Sequence, residues 1–255
     1  MAVNYQAAPA WNDMRDSHLG LAQGIQEENS AQQYPLGFRV PLSDGRVFRY
    51  AENASTGLAA GKLIGSPMLF DEIDRLLPAV VPQYATQFSY LANGTLTANQ
   101  YQDGFACVID GTGEGLQYKI KSHPAIASGA TGTITLYDGI ITALDTTSDV
   151  MLLPSLYKDV ILIPTEVIKA VGVSPIPVTA DYFFWVQTWG QALVLCVDSK
   201  GDAATERWCN PSGAAGGFVS TAGGVPGTEI IGYQMGDNQD VVVAEHYPVY
   251  LTIAP

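Results

Sequence analysis

The sequence predicts a mainly β protein: small β-barrel or sandwich units, one short helix and an extended N-terminal arm. Three observations carry this. Short apolar runs alternate with polar residues at period two through most of residues 37–255. Turn dipeptides punctuate those runs: Asp44-Gly45, Asn93-Gly94, Asp103-Gly104, Asp110-Gly111 and Asp138-Gly139. Only Phe70–Leu77 has helical spacing, with acids at its start, an Ile73, Leu76, Leu77 stripe and Pro78 as the stop.

Taken in order, residues 1–36 are polar and aperiodic, with few aliphatic side chains. They are read as an extended arm over a neighbouring subunit, anchored by Tyr5, Trp11 and Tyr34. The alternative is a short helix near Trp11–Gln26 folded onto its own domain. Residues 37–172 form the next expected unit, β-rich, opening with a hairpin about Asp44-Gly45. Arg46, Phe48 and Tyr50 share one face of its second strand; Val47, Arg49 and Ala51 share the other. Arg39, Arg46, Arg49 and Lys62 face only two local acids, Asp44 and Glu52, so this stretch is basic within an acidic chain. It reads either as a docking patch or as solvated charge that blunts a sheet edge. Further strands are expected at Phe105–Ile109, Leu116–Ile120, Gly132–Tyr137 and Asp159–Pro164. Residues 173–255 form a barrel-like unit, closing with strands at Glu229–Met235, Val241–Glu245 and Pro248–Ile253.

The densest hydrophobic stretch is Asp181–Val197, read as two strands broken at Gly190. Tyr182, Phe184 and Val186 fall on one face; Phe183, Trp185 and Gln187 fall on the other. Two apolar faces require cover on both sides, from a second layer or from another subunit. Phe183, Trp185 and Trp189 are therefore expected at an oligomer contact, most simply in a homotrimer.

Composition narrows the function. Charged residues make up 15% of the 255-residue chain, against roughly 25% for an average domain. The shortfall suits a protein whose surface is covered by neighbours, or a Gly/Thr/Ser-rich β protein with neutral polar groups outside. A net charge of −13 argues against nucleic acid and against anionic membrane surfaces. No apolar run approaches the roughly 20 residues of a membrane span. The N-terminus lacks a basic-then-apolar leader pattern, so synthesis in a cytoplasm is expected. Cys107, Cys196 and Cys209 are odd in number and lack C-x-x-C spacing; Cys107 and Cys196 read as buried apolar residues.

Chemistry-bearing motifs are missing from the sequence. It has no G-x-S-x-G elbow and no phosphate-binding G-x-x-x-x-G-K-[ST] loop, and Gly111-Thr-Gly-Glu-Gly115 reads as a turn. His18, His123 and His246 have no metal-binding spacing. No catalytic centre, cofactor or metal is expected.

Several stretches resemble proteins encoded beside the capsid genes of tailed bacteriophages. They are Gly37-Phe-Arg with Asp44-Gly-Arg-Val-Phe-Arg-Tyr-Ala and Leu58-Ala-Ala-Gly-Lys-Leu; Gly111-Thr-Gly-Glu-Gly-Leu-Gln-Tyr-Lys-Ile-Lys-Ser-His-Pro; Val178-Thr-Ala-Asp-Tyr-Phe-Phe-Trp-Val-Gln-Thr-Trp-Gly; and Ile231-Gly-Tyr with Pro248-Val-Tyr-Leu-Thr-Ile. The resemblance implies a virion structural protein, a decoration or cement protein on the outside of the head, assembled in the host cytoplasm. Its implied partners are the major capsid protein and other copies of itself. Proteins of this kind are often trimers of small β-barrels with an arm across the lattice. The alternative is a head-fibre or tail receptor-binding protein that contacts host-surface glycans. The resemblance carries over no functional residues.

Overall fold

The computed structural model describes residues 21–67, 72–163, 169–197, 208–212, 216–221, 229–235 and 244–255. Among the described residues sixteen strands run in chain order: β1 Arg39–Pro41, β2 Val47–Glu52, β3 Lys62–Gly65, β4 Arg75–Leu76, β5 Gln87–Leu91, β6 Phe105–Asp110, β7 Gln117–Ser122, β8 Thr131–Leu136, β9 Asp149–Leu153, β10 Ile161–Leu162, β11 Ala170–Ser174, β12 Phe183–Leu195, β13 Trp208–Pro211, β14 Phe218–Thr221, β15 Gly232–Gln234 and β16 His246–Thr252. Among the described residues there is no helix.

The strands divide into two units with separate cores. Residues 68–156 form one; residues 1–67 and 157–255 form the other. The expected boundaries near 36 and 172 are therefore corrected. The smaller unit is inserted into the larger one between β3 and β10, which pair through Ile161–Gly65 and Leu162–Ile64. β11 crosses the expected boundary and pairs with both β3 and β12. These long-range pairings leave no local trace in composition.

The inserted unit is a six-stranded antiparallel sheet in the order β4-β9-β6-β7-β8-β5. It curls around Phe88, Tyr90, Tyr101, Tyr118, Ile120, Ile134 and Leu152. Its two edge strands meet: Arg75 Nε donates to the Leu91 carbonyl oxygen at 3.1 Å. The buried Glu72 completes the closure. Its carboxylate accepts the Asn93 N–H at 2.8 Å, the Gly94 N–H at 2.7 Å and the Tyr90 hydroxyl at 3.1 Å. Burial, with the Glu72 carboxylate next, raises the Tyr90 phenol well above its usual range.

This closure overrides the helix expected at Phe70–Leu77. Phe70 and Asp71 lie outside the described residues. From Glu72 onward the chain is not helical: Asp74 has φ +55°, and Arg75 and Leu76 pair with Val150 and Asp149. Ile73 and Leu76 are exposed, and only Leu77 of the expected stripe reaches the core. Three hydrogen bonds to one buried carboxylate outweigh a weak local propensity.

The larger unit is a ten-stranded antiparallel sheet in the order β10-β3-β11-β12-β16-β15-β13-β14, with the β1–β2 hairpin attached to β12. It bends back on itself: the Leu63 N–H donates to the Gly216 carbonyl oxygen at 2.7 Å, and Cys196 bridges Phe218. Leu63, Val194, Cys196, Cys209, Phe218, Ile231, Val249 and Leu251 fill the enclosed core. The Asp44-Gly45 turn forms as expected, with Gly45 at φ +88° and the Leu42 N–H donating to the Arg46 carbonyl oxygen at 2.8 Å.

The stretch read as two strands is one, the 13-residue β12. It pairs with β2 through Trp189 and with β16 from Trp189 onward, changing partner at a bulge between Gln187 and Trp189. Gly190 (φ +84°) permits the kink; a Cβ there would stand 3.0 Å from the Arg46 Cα. The alternation holds. Phe184 and Val186 pack with Ala51, Leu58, Ile64 and Val160. Phe183 and Trp185 pack on the other side with Ile25, Leu36, Phe48 and Tyr50.

That second layer corrects the arm. Tyr5 and Trp11 lie outside the described residues, but residues 21–36 pack on their own unit. Asn29 exchanges both backbone hydrogen bonds with Phe183, at 2.9 and 2.8 Å. Gln23 is buried: its carbonyl oxygen accepts the Trp185 Nε1–H at 3.0 Å, and its Oε1 accepts the Tyr50 hydroxyl at 2.5 Å. Tyr34 rests on Phe38, Tyr50 and Trp185 with ring centroids 5.1–5.4 Å apart. A segment with few aliphatics is ordered because its polar groups supply the hydrogen bonds the aromatic layer lacks.

Two outcomes are expected. Deleting residues 1–30 removes the Gln23 hydrogen bonds to Trp185 and Tyr50, so the melting temperature of the larger unit should fall sharply and tryptophan emission should shift to the red. Asp149→Asn should stabilise the inserted unit. Burial, followed by Asp74 and Asp110, holds the Asp149 carboxyl above its ordinary value of 3.8, and its Oδ1 is buried without a partner. Ionisation is therefore penalised in the fold: the penalty is complete above the raised value and absent below the unfolded one. Melting curves should show the gain at pH 7 and its disappearance by about pH 3.

Candidate functional site

The expected basic patch does not assemble as free charge. Arg39 is exposed. Arg46 pairs with Asp44 at 2.7 Å and lies 5.5 Å from the centre of the Phe48 ring. Arg49 donates to the carbonyl oxygens of Gly37 and Pro255, each at 3.2 Å, and sits over Tyr157. Arg49 thus stitches the larger unit together, while Arg46 is engaged within its own hairpin. Of the residues expected at an oligomer contact, Trp185 is buried within its own chain, while Phe183 and Trp189 are half-buried. Trp185 has no surface left to offer another subunit, which corrects that assignment.

His123 serves the inserted unit's core. Its Nε2 accepts the Tyr101 N–H at 3.0 Å, and its Nδ1 lies 2.8 Å from the Pro124 carbonyl oxygen. A carbonyl can only accept, so the proton sits on Nδ1. Both ring nitrogens are engaged in holding backbone.

The larger unit has a feature that the linear reading missed. On the sheet face away from the barrel core, four adjacent strands align one residue each. Gln191 on β12 faces Tyr250 on β16, Tyr250 faces Tyr233 on β15, and Tyr233 faces Trp208 on β13. Residues opposite each other in a ladder share a face, so these four form a row. Trp208 is 44% exposed and Tyr233 41%. The Tyr233 and Tyr250 rings stack with centroids 5.2 Å apart and planes 15° from parallel; Trp189 meets Tyr250 edge-on at 6.1 Å. One step along the strands, Leu193 faces Pro248, which accepts the Met235 N–H at 3.0 Å. Leu193 and Met235 are also exposed. The signal in the sequence is one aromatic residue on each of three separate strands, Trp208, Tyr233 and Tyr250; their alignment depends on three long-range registers.

A cleft of about 760 Å³ opens beside this row, lined by Gln26, Asp44, Arg46, Gln191, Leu193 and His246 among others. Gln191 and Leu193 belong to both features. Gln187 shapes the cleft, and its Nε2 donates to the carbonyl oxygens of Trp189 (3.1 Å) and Gln191 (2.8 Å) across the kink in β12.

The inserted unit displays a smaller apolar group. Val80, Tyr84 and Ile141 are 71%, 74% and 57% exposed on two loops. The loops are laced together: the Tyr84 N–H donates to the Ile140 carbonyl oxygen at 2.6 Å, the Ile140 N–H donates to Ala85 at 2.9 Å, and Gln83 Nε2 donates to Ile141 at 2.8 Å. Tyr84 has φ +68°, a strained conformation for a residue with a side chain. Gly139 makes room for it; a Cβ there would stand 2.8 Å from the Tyr84 carbonyl oxygen.

Compared with protein-family models, curated proteins and solved structures, the chain matches none.

Proposed function

We propose that the protein is a virion structural protein of a tailed bacteriophage, a decoration or cement protein bound to the outside of the head. The observation that carries this reading is the presentation of Val80, Tyr84 and Ile141 on hydrogen-bonded loops. A fixed apolar group needs little ordering on binding, so a small contact can hold when many copies repeat it over a lattice. Backbone strain kept at an exposed aromatic residue supports a contact role for Tyr84. The low charge content and the net charge of −13 fit an exterior position on a particle, away from packaged nucleic acid. The partner on this reading is the major capsid protein, met by the inserted unit.

The test has two parts. Mass spectrometry of purified particles of the encoding phage should find the chain in multiple copies per head. A Tyr84→Ser/Ile141→Ser double variant should melt like the parent but bind undecorated heads about tenfold or more weakly, because central aromatic anchors dominate such contacts. Absence from particles, or unchanged binding by the double variant, overturns the reading.

A further inference from the structure

We infer that the larger unit carries a binding track for a neutral oligosaccharide, running from the Gln26–Asp44–Arg46–His246 cleft past Gln191 and over Tyr250, Tyr233 and Trp208. The inference does not depend on attachment to a capsid.

The track is continuous. Gln191 lines the cleft and is also the first member of the aromatic row. Four adjacent strands, each about 4.8 Å from the next, give the row a length of about 14 Å. That length suits several units of a chain-like ligand better than a single small molecule. The cleft volume of about 760 Å³ lies within the roughly 300–1,000 Å³ typical of ligand sites.

The side chains specify the chemistry. Sugar rings present two kinds of surface, a rim of hydroxyls and faces of C–H groups. The cleft offers planar groups that can pair with neighbouring hydroxyls: the Asp44 carboxylate, the Arg46 guanidinium and the Gln191 amide. Asp44 and Arg46 are already ion-paired at 2.7 Å, so together they present donors and acceptors with no net charge. The row then supplies aromatic surface, with the Leu193 and Met235 side chains beside it.

Other occupants fit less well. A phosphate-bearing polymer would need unpaired cations, and among the described residues the arginine lining the cleft is neutralised by Asp44. A second copy of this chain seated flat on the row would close over the cleft and bury its carboxylate, guanidinium and amide groups against an apolar face. Burying polar groups without partners costs about 1–3 kcal/mol each. A hydroxylated ligand satisfies those groups and covers the rings at the same time.

The experiment uses the full chain. Titration calorimetry is run with maltohexaose, cellohexaose, chitohexaose and mannohexaose, with heparin as the polyanionic control. At least one neutral hexamer should bind, more tightly than its monosaccharide, and heparin should not. Trp208→Ala and Tyr233→Ala alter exposed side chains and should melt like the parent. Each should weaken binding by about tenfold, with Gln191→Ala close behind. Attachment of these variants to undecorated heads should be unchanged, which separates this site from the capsid contact. Binding of none of the four hexamers overturns the inference, as does binding indifferent to all three substitutions. Light scattering in which Tyr233→Ala turns an oligomer into a monomer also overturns it, and assigns the face to a second copy.

Discussion

The larger unit depends on how Trp185 is enclosed. Its indole lies near the start of β12 with no exposed surface, touching Tyr34 and Tyr50 at centroid distances of 5.3 and 4.9 Å. Burying a large side chain contributes about 1.5–3 kcal/mol, and each well-oriented aromatic pair about 0.5–1.5 kcal/mol more. An indole N–H left without an acceptor would cancel much of that gain. Gln23 prevents the loss. Its carbonyl takes the Trp185 N–H, its side-chain oxygen takes the Tyr50 hydroxyl, and its amide nitrogen donates to the carbonyl oxygens of Glu27 and Phe183 at 2.9 Å. One glutamine thus ties residues 21–36 to β2 and β12. The Tyr50 phenol, pushed up to about 12 chiefly by burial, stays neutral and able to donate.

That arrangement explains which features were legible in the sequence. Local signals held. Asp44-Gly45 makes its hairpin, the alternation through Phe183–Val186 sorts side chains onto two buried faces, and the strands expected near Phe105, Leu116 and Gly132 are present. These depend on neighbours a few residues away. The failures all involve distant partners. Residues 21–36 look unable to fold because their partners in β2 and β12 are 17 to 162 residues away in sequence. Phe70–Leu77 has helical spacing, but Glu72 is claimed by Tyr90 and the Asn93-Gly94 turn. The aromatic row exists only once β12, β16, β15 and β13 take their registers.

The kink in β12 links the core to the surface. Before it, both faces of the strand are covered: Phe184 and Val186 by one layer, Trp185 by the other. The bulge at Gln187–Trp189 and the positive φ of Gly190 break the pairing with β2 and hand the strand to β16. Beyond the kink the alternation continues, but one face loses its cover. Ala192 and Val194 enter the barrel core while Gln191 and Leu193 stand exposed. A strand that began as the middle of a sandwich ends as part of an open platform. An extra residue at the bulge is enough to re-aim a strand in this way, and Gln187, Gln191 and Leu193 on either side of it line the cleft.

The placement of charge follows the same logic. Arg46 pairs with Asp44, Lys158 with Glu52 at 2.6 Å, and Lys169 with Glu229. The second pair is half-buried, and burial outweighs the attraction of Lys158, leaving the Glu52 carboxyl above its usual range. These cations serve the fold, and the exposed groups of the aromatic row and of the Val80–Ile141 loops are aromatic, aliphatic and amide. Contacts of that kind are little screened by salt, whereas contacts made by surface charges weaken within a Debye length of about 8 Å at physiological ionic strength. On the proposed reading, recognition comes from shape and from hydrogen bonds made at close range, which a stiff sheet face and a laced pair of loops can provide.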